Sequence, residues 1–202
     1  MIAQLNIQTA LRGARTCLVN AFFTPPFKVA NITEHKTDAT LQLMLMSSSP
    51  GILDNDEYRM NIDLAAHTSL RLHTQSYQRL FNMKTGARQR MEVYLQKGAS
   101  FIYLPHPAVP HKQSTFITRN TIYLQENARL IWGEGLTCGR KGSGEQFEFV
   151  KYQHNRCVQE WAPGDQGKLT GSTRHHQCAC HRPMGRPFAP GQYDHTRQAG
   201  NY

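Results

Sequence analysis

The feature that most limits what this chain can become is a segment that it repeats. "IDLAAHTSLRL" from Ile62, "VYLQKGASFIY" from Val93 and "IYLQENARLIW" from Ile122 align residue for residue, and their starts lie 31 and 29 positions apart. In each, an apolar residue and a Leu two places later fit one strand. His67, Gly98 or Asn127 follows, then a small residue and a second alternating strand. The middle position carries residue types that tolerate φ > 0, as a tight turn requires. "TDATLQL" from Thr37 matches the turn and second strand of the same pattern. Each unit is therefore expected to be a hairpin that buries its apolar face on its neighbours. The fold class is all-β: stacked antiparallel hairpins in a solenoid-like, β-helix-like arrangement with little helix. An ordinary β-meander is the plainer alternative.

Up to Tyr152 the chain keeps this short-period alternation, with Gly, Asn, Asp or Pro punctuation. From His154 to Tyr202 there are one Val, one Leu and no Ile, but six Gly, four Pro, five His and three Cys. Such a composition buries too little apolar surface to offset its ordering entropy. The expected organisation is a β-domain over 1–152 and a disordered tail over 153–202.

With 202 residues the chain can bury a core without disulfides or metal. Its formal charge of +9, from 23 basic and 14 acidic side chains, draws acidic partners. The basic residues are scattered, with no run of like charge, no RNP-like motif and no finger spacing, so nucleic-acid binding is a rival reading without a motif. The start lacks the apolar core of a signal peptide, and "LQLMLM" at 41–46 is far too short to span a bilayer. Five cysteines without framework spacing fit a reducing compartment, so a soluble, cytoplasmic protein is expected.

Catalytic signatures are missing. Ser47, Ser48 and Ser49 precede "PGIL" without a nucleophile elbow, and "GRKGSGE" from Gly139 lacks phosphate-loop spacing. Binding, not turnover, is the expectation. The cluster "HHQCACH" offers His175, His176, Cys178, Cys180 and His181 as metal ligands, which makes a metal-binding tail a second rival. Cys178 and Cys180 are nevertheless closer than structural zinc sites use.

Five stretches carry a family resemblance: "FFTPPFK" (Phe22 to Lys28), "SPGILDND" (Ser49 to Asp56), "TQSYQRLFN" (Thr74 to Asn82), "LPHPAVP" (Leu104 to Pro110) and "LIWGEGLTCGRKGSGEQF" (Leu130 to Phe147). In order and spacing they resemble the urease accessory proteins UreD, also called UreH. The resemblance implies a β-rich stack and no enzymatic activity. It also implies partnership with the helical protein UreF, the GTPase UreG and the urease apoprotein, into which nickel is delivered through a polar passage. No tightly bound cofactor is implied, only Ni²⁺ in transit, and neither nucleic acid nor membrane is a partner. The family's acid after the Pro-Gly turn falls on Asp56, and an acid before the Gly-Arg motif falls on Glu134. These are the candidate nickel-path residues. Their plainer readings are a turn residue for Asp56 and an ion pair with Arg140 or another cation for Glu134. Gln75 is expected as a buried strand-end amide bonded to backbone, Trp132 and Cys138 as core. The chain departs from the family at Ile52, Asp54 and His111, and the recognisable motifs end near Tyr152. A shortened or frameshifted C-terminus, leaving a sheet edge unpaired, is the expectation there.

Overall fold

The computed structural model describes residues 1–35 and 37–161, together with the backbone of 174–181. The strands are β1 (Ile2–Arg12), β2 (Arg15–Phe23), β3 (Phe27–Asn31), β4 (Leu41–Ser47), β5 (Glu57–Leu64), β6 (Ser69–Thr74), β7 (Gln78–Leu80), β8 (Ala87–Leu95), β9 (Ser100–Tyr103), β10 (Ala108–Pro110), β11 (Thr115–Leu124), β12 (Arg129–Trp132), β13 (Lys151–Glu160) and β14 (Arg174–His181). Among the described residues the sole helical element is the 3-10 turn Lys141–Ser143. The chain is thus mainly β, as its alternation predicts.

The pairing differs from expectation. A seven-stranded mixed sheet runs β14-β13-β11-β8-β5-β1-β2, a five-stranded one β12-β9-β6-β4-β3, and β10 pairs with β7. The two strands of each repeat are not a hairpin, because they belong to different sheets. β5, β8, β11 and β13 lie side by side in parallel, and so do β4, β6, β9 and β12. The stacked antiparallel hairpins are therefore corrected to parallel stacking of successive repeats in two open sheets. The reason lies in the connection. After the first strand the chain turns a corner, and its backbone bonds onward to the next repeat: His67 N donates to Lys97 O (2.9 Å) and Gly98 N to Glu126 O (2.9 Å).

The turn chemistry itself is as the sequence predicts. His67, Gly98 and Asn127 have φ of 59°, 66° and 57°, and each corner closes an i to i+3 bond, such as Ala99 N to Gln96 O at 2.9 Å. Gly98 is doubly required, since a Cβ there would lie 2.6 Å from His67 Nδ1 in the corner below. We expect Gly98→Ala to lower stability by about 1–3 kcal/mol, from left-handed backbone plus a displaced imidazole. The shift in urea midpoint relative to wild type measures it.

Alternation buries one face of each strand. Leu5, Ile7, Leu43, Ile62, Leu64, Leu70, Leu72, Val93, Leu95, Phe101, Phe116 and Ile122 form a continuous core between the sheets. Each fully buried aliphatic side chain contributes roughly 1.5–3 kcal/mol. The boundary expected between Tyr152 and Gln153 falls inside β13, which continues the parallel stack beside β11 with Tyr152 and His154 buried. β14 pairs antiparallel on its far side.

Candidate functional site

Parallel, in-register strands place equivalent residues of successive repeats in rows across the core. One row, Ile62, Val93, Ile122 and Val158, is wholly apolar. Two residues earlier the row reads Met60, Met91, Asn120 and Arg156, and two earlier again Tyr58, Gln89, Thr118 and His154. The core thus turns polar toward one end. A cavity of about 140 Å³ lies against this end, and its walls include Tyr58, Gln89, Thr118, His154, Tyr103 and Glu134.

Polar groups buried in a core have to be bonded, and most of these are. Gln78 Nε2 donates to Gln89 Oε1 at 3.1 Å, and the Thr118 hydroxyl lies 2.7 Å from His154 Nδ1. His154 Nε2 lies 2.7 Å from Glu134 Oε1 and 3.1 Å from the Asn120 amide. An Nε2–H donating to Glu134 leaves no lone pair for the Asn120 NH₂. Two buried acceptors, Tyr58 Oη and Asn120 Oδ1, have no hydrogen-bond partner among the described residues.

Glu134 follows β12 into the corner that meets this row. Its carboxylate accepts from the Trp132 indole, contacts His154, and takes a bond from Arg156 Nη1 at 3.2 Å. Of the plainer partners, Arg140 is not one: its Nε donates to Glu145 Oε2 at 2.9 Å, and that pair holds the Glu145 carboxyl down at about 2. Burial acts to raise the Glu134 carboxyl. The bond and charge of His154, the Trp132 indole and Arg156 outweigh it, and the group sits below its ordinary 4.5. A depressed folded value adds stability above the unfolded value that is lost as pH falls through the folded one. We therefore expect Glu134→Gln to cost about 1–3 kcal/mol at neutral pH, with wild type and variant converging below 4.5. Urea midpoints measured across that range check it.

Asp56 is 5% exposed and closes a turn. Its Oδ2 accepts from Leu53 N at 2.9 Å, and Oδ1 lies 3.2 Å from the Met1 amine. The turn-residue reading thus describes its bonding. It sits two residues before Tyr58, at the opposite side of the polar row from Glu134. Burial, and next the Asp56 charge, push the Tyr58 phenol up to about 12, so it stays a neutral hydroxyl at physiological pH. The in-register row Tyr58–Gln89–Thr118–His154 thus meets Glu134 at one side through His154, while Asp56 precedes Tyr58 along the chain, outside the row, and does not line the cavity.

The four residues between them escaped sequence reasoning. The available signal was "TFITRNTIYL", where Phe116, Thr118, Asn120 and Ile122 share the buried face and two of the four are polar. Of the other landmarks, Gln75 is exposed, not buried, and only its backbone N–H bonds Leu45 O (3.0 Å) beside the cavity, while Trp132 is half-buried against Tyr103 at 4.8 Å. Cys138 is also half-buried, and His111 packs edge-on to Phe81 at 4.8 Å. Gly51 lies where a Cβ would meet Arg79 O at 2.5 Å, which explains Gly in "SPGIL" by close strand approach. The side chains of His175, His176, Cys178, Cys180 and His181 lie outside the described residues. Among those described, no group of three potential metal ligands occurs, and no helix is long and apolar enough to cross a membrane.

A family model described as UreD urease accessory protein matches residues 1–192. The chain belongs to the UreD family. The match runs well past Tyr152, where the recognisable motifs end. "Urease accessory protein UreD" of Flavobacterium johnsoniae is 53% identical over 154 residues, covering 76% of this chain and 56% of that one. The protein of the same name from Acetivibrio thermocellus is 34% identical over 151 residues, 74% of this chain and 58% of that one. That from Actinobacillus pleuropneumoniae serotype 3 is 36% identical over 180 residues, with coverages of 81% and 66%. The UreD-like chain therefore spans between about half and two thirds of the length of these curated relatives.

Proposed function

We propose that this chain is a non-enzymatic, cytoplasmic scaffold that acts with UreF and UreG to pass Ni²⁺ into the urease apoprotein, with the ion held only in transit. Membership in the UreD family supports the maturation role. The polar row from Tyr58 to His154, which Glu134 joins at the cavity, is the observation that carries the nickel reading. An ion in passage needs ligands that it can leave, whereas a Cys/His cage would hold it. Hydroxyls, amides and single carboxylates offer that weak, replaceable coordination. Glu134 and His154 are the strongest donors along the row, and Asp56 supplies negative charge beyond its other end.

The nucleic-acid reading has no recognition motif in the sequence behind it, and the metal-tail reading rests on side chains outside the described residues. The test is genetic. In a strain whose own copy is deleted, the gene should restore nickel to urease and its product should co-purify with UreF and UreG. Full nickel incorporation in the deletion strain would overturn the assignment.

A further inference from the structure

The outer face of the seven-stranded sheet carries a row of its own. In register across five strands stand Gln4, Arg59, Arg90, Arg119 and Asn155. The three central side chains are arginines on adjacent strands, all exposed, with Arg59 at 48% and Arg90 at 69%. Neighbouring strands lie about 4.8 Å apart, and like charges directly opposite one another on a sheet are destabilising. The fold relieves only part of this. Arg59 bonds Glu57 at 2.7 Å and Arg90 bonds Glu92, whereas Arg119 has Ile117 and Thr121 as its neighbours on the same face of β11 and makes no ion pair among the described residues. Arg88, also exposed, adds a fourth cation one row away.

We propose that this face docks the acidic side of a helix on a partner protein. Carboxylates three or four residues apart on a helix are about 5–6 Å from one another, close to the step between strands. A helix lying across β5, β8 and β11 would therefore present one carboxylate to each guanidinium fork, the pairing that arginine favours over lysine. Glu57 and Glu92 flank the row on its two sides. They leave a strip wide enough for one helical ridge and repel a broad polyphosphate, which argues for a protein partner and against nucleic acid. This docking is independent of the nickel path, since the row faces away from the cavity.

The test uses the full chain and a fluorescein-labelled, alanine-rich peptide of about 20 residues with glutamates on one helical face. Its control has the same composition with the glutamates spread around the helix. At low salt the one-face peptide should bind about tenfold more tightly than the control, and the triple variant R59Q/R90Q/R119Q should lose that preference while keeping its circular dichroism spectrum. The charge-conserving triple Arg→Lys variant should bind both peptides alike, and it serves as the reading if the glutamine variant misfolds. Equal affinity of wild type for both peptides, or an undiminished preference in either triple variant, would overturn the proposal. So would tighter binding of duplex DNA than of the one-face peptide.

Discussion

Phe101→Ala is expected to lower the unfolding free energy by about 3–5 kcal/mol, a large part of the 5–15 kcal/mol that holds a typical domain. Phe101 is fully buried, in register with Leu70 of β6 and Leu130 of β12. Its ring stacks on Tyr103 with centroids 6.1 Å apart and meets Trp132 edge-on at 6.4 Å. Removing it takes the central contact from three successive repeats at once, and the surrounding backbone, tied by parallel ladders on both sides, cannot collapse into the void. Ile131, whose side chain is 54% exposed on the neighbouring strand, is the control: Ile131→Ala should change stability by no more than about 0.5 kcal/mol. Chemical denaturation of the two variants beside wild type separates these values. A Phe101 variant as stable as the Ile131 variant would mean that the two sheets do not share one core.

What the sequence discloses about this fold is local. The need for φ > 0 at His67, Gly98 and Asn127 is a property of single residues and their neighbours, so the repeat exposed it directly. The direction of strand pairing is not local. A strand, a four-residue turn and a second alternating strand read the same whether the turn folds back as a hairpin or rounds a corner into another sheet. What decides is which face finds apolar surface, and here Leu64, Leu95 and Leu124 find it on one another in neighbouring repeats. β13 was hidden for a different reason. Composition averaged over a Gly- and Pro-rich stretch masks ten residues in which Tyr152 and His154 alternate inward.

The site follows the same division. Asp56 as a turn residue is legible from its own neighbourhood, because its carboxylate bonds a backbone amide three residues away. Glu134 is legible as an acid before the Gly-Arg motif, but its partners His154 and Arg156 lie 20 and 22 residues on and meet it only through the placing of β13 beside β11. Tyr58, Gln89, Thr118 and His154 stand about 30 residues apart in sequence and become neighbours only once parallel register is fixed. No pattern within one strand announces a row across four.

That row supports the second large effect. Gln89→Leu with Thr118→Val keeps the volume of both side chains and removes the two middle polar groups between Tyr58 and His154. Each replacement leaves a buried partner, the Gln78 amide or His154 Nδ1, without its bond, so about 1–3 kcal/mol of stability is lost at each. The cost to a passing cation is separate. A dry step that lacks a partner worth about 1.4 kcal/mol slows passage over that step about tenfold, and because the resistances of successive steps add, two such steps still slow transit about tenfold. The most direct measurement is the nickel content of urease purified from a deletion strain that carries this double variant, expressed to wild-type level and still co-purifying with UreF. The row as a nickel path predicts urease with about a tenth of its nickel, whereas full nickel occupancy with the row made apolar would contradict it.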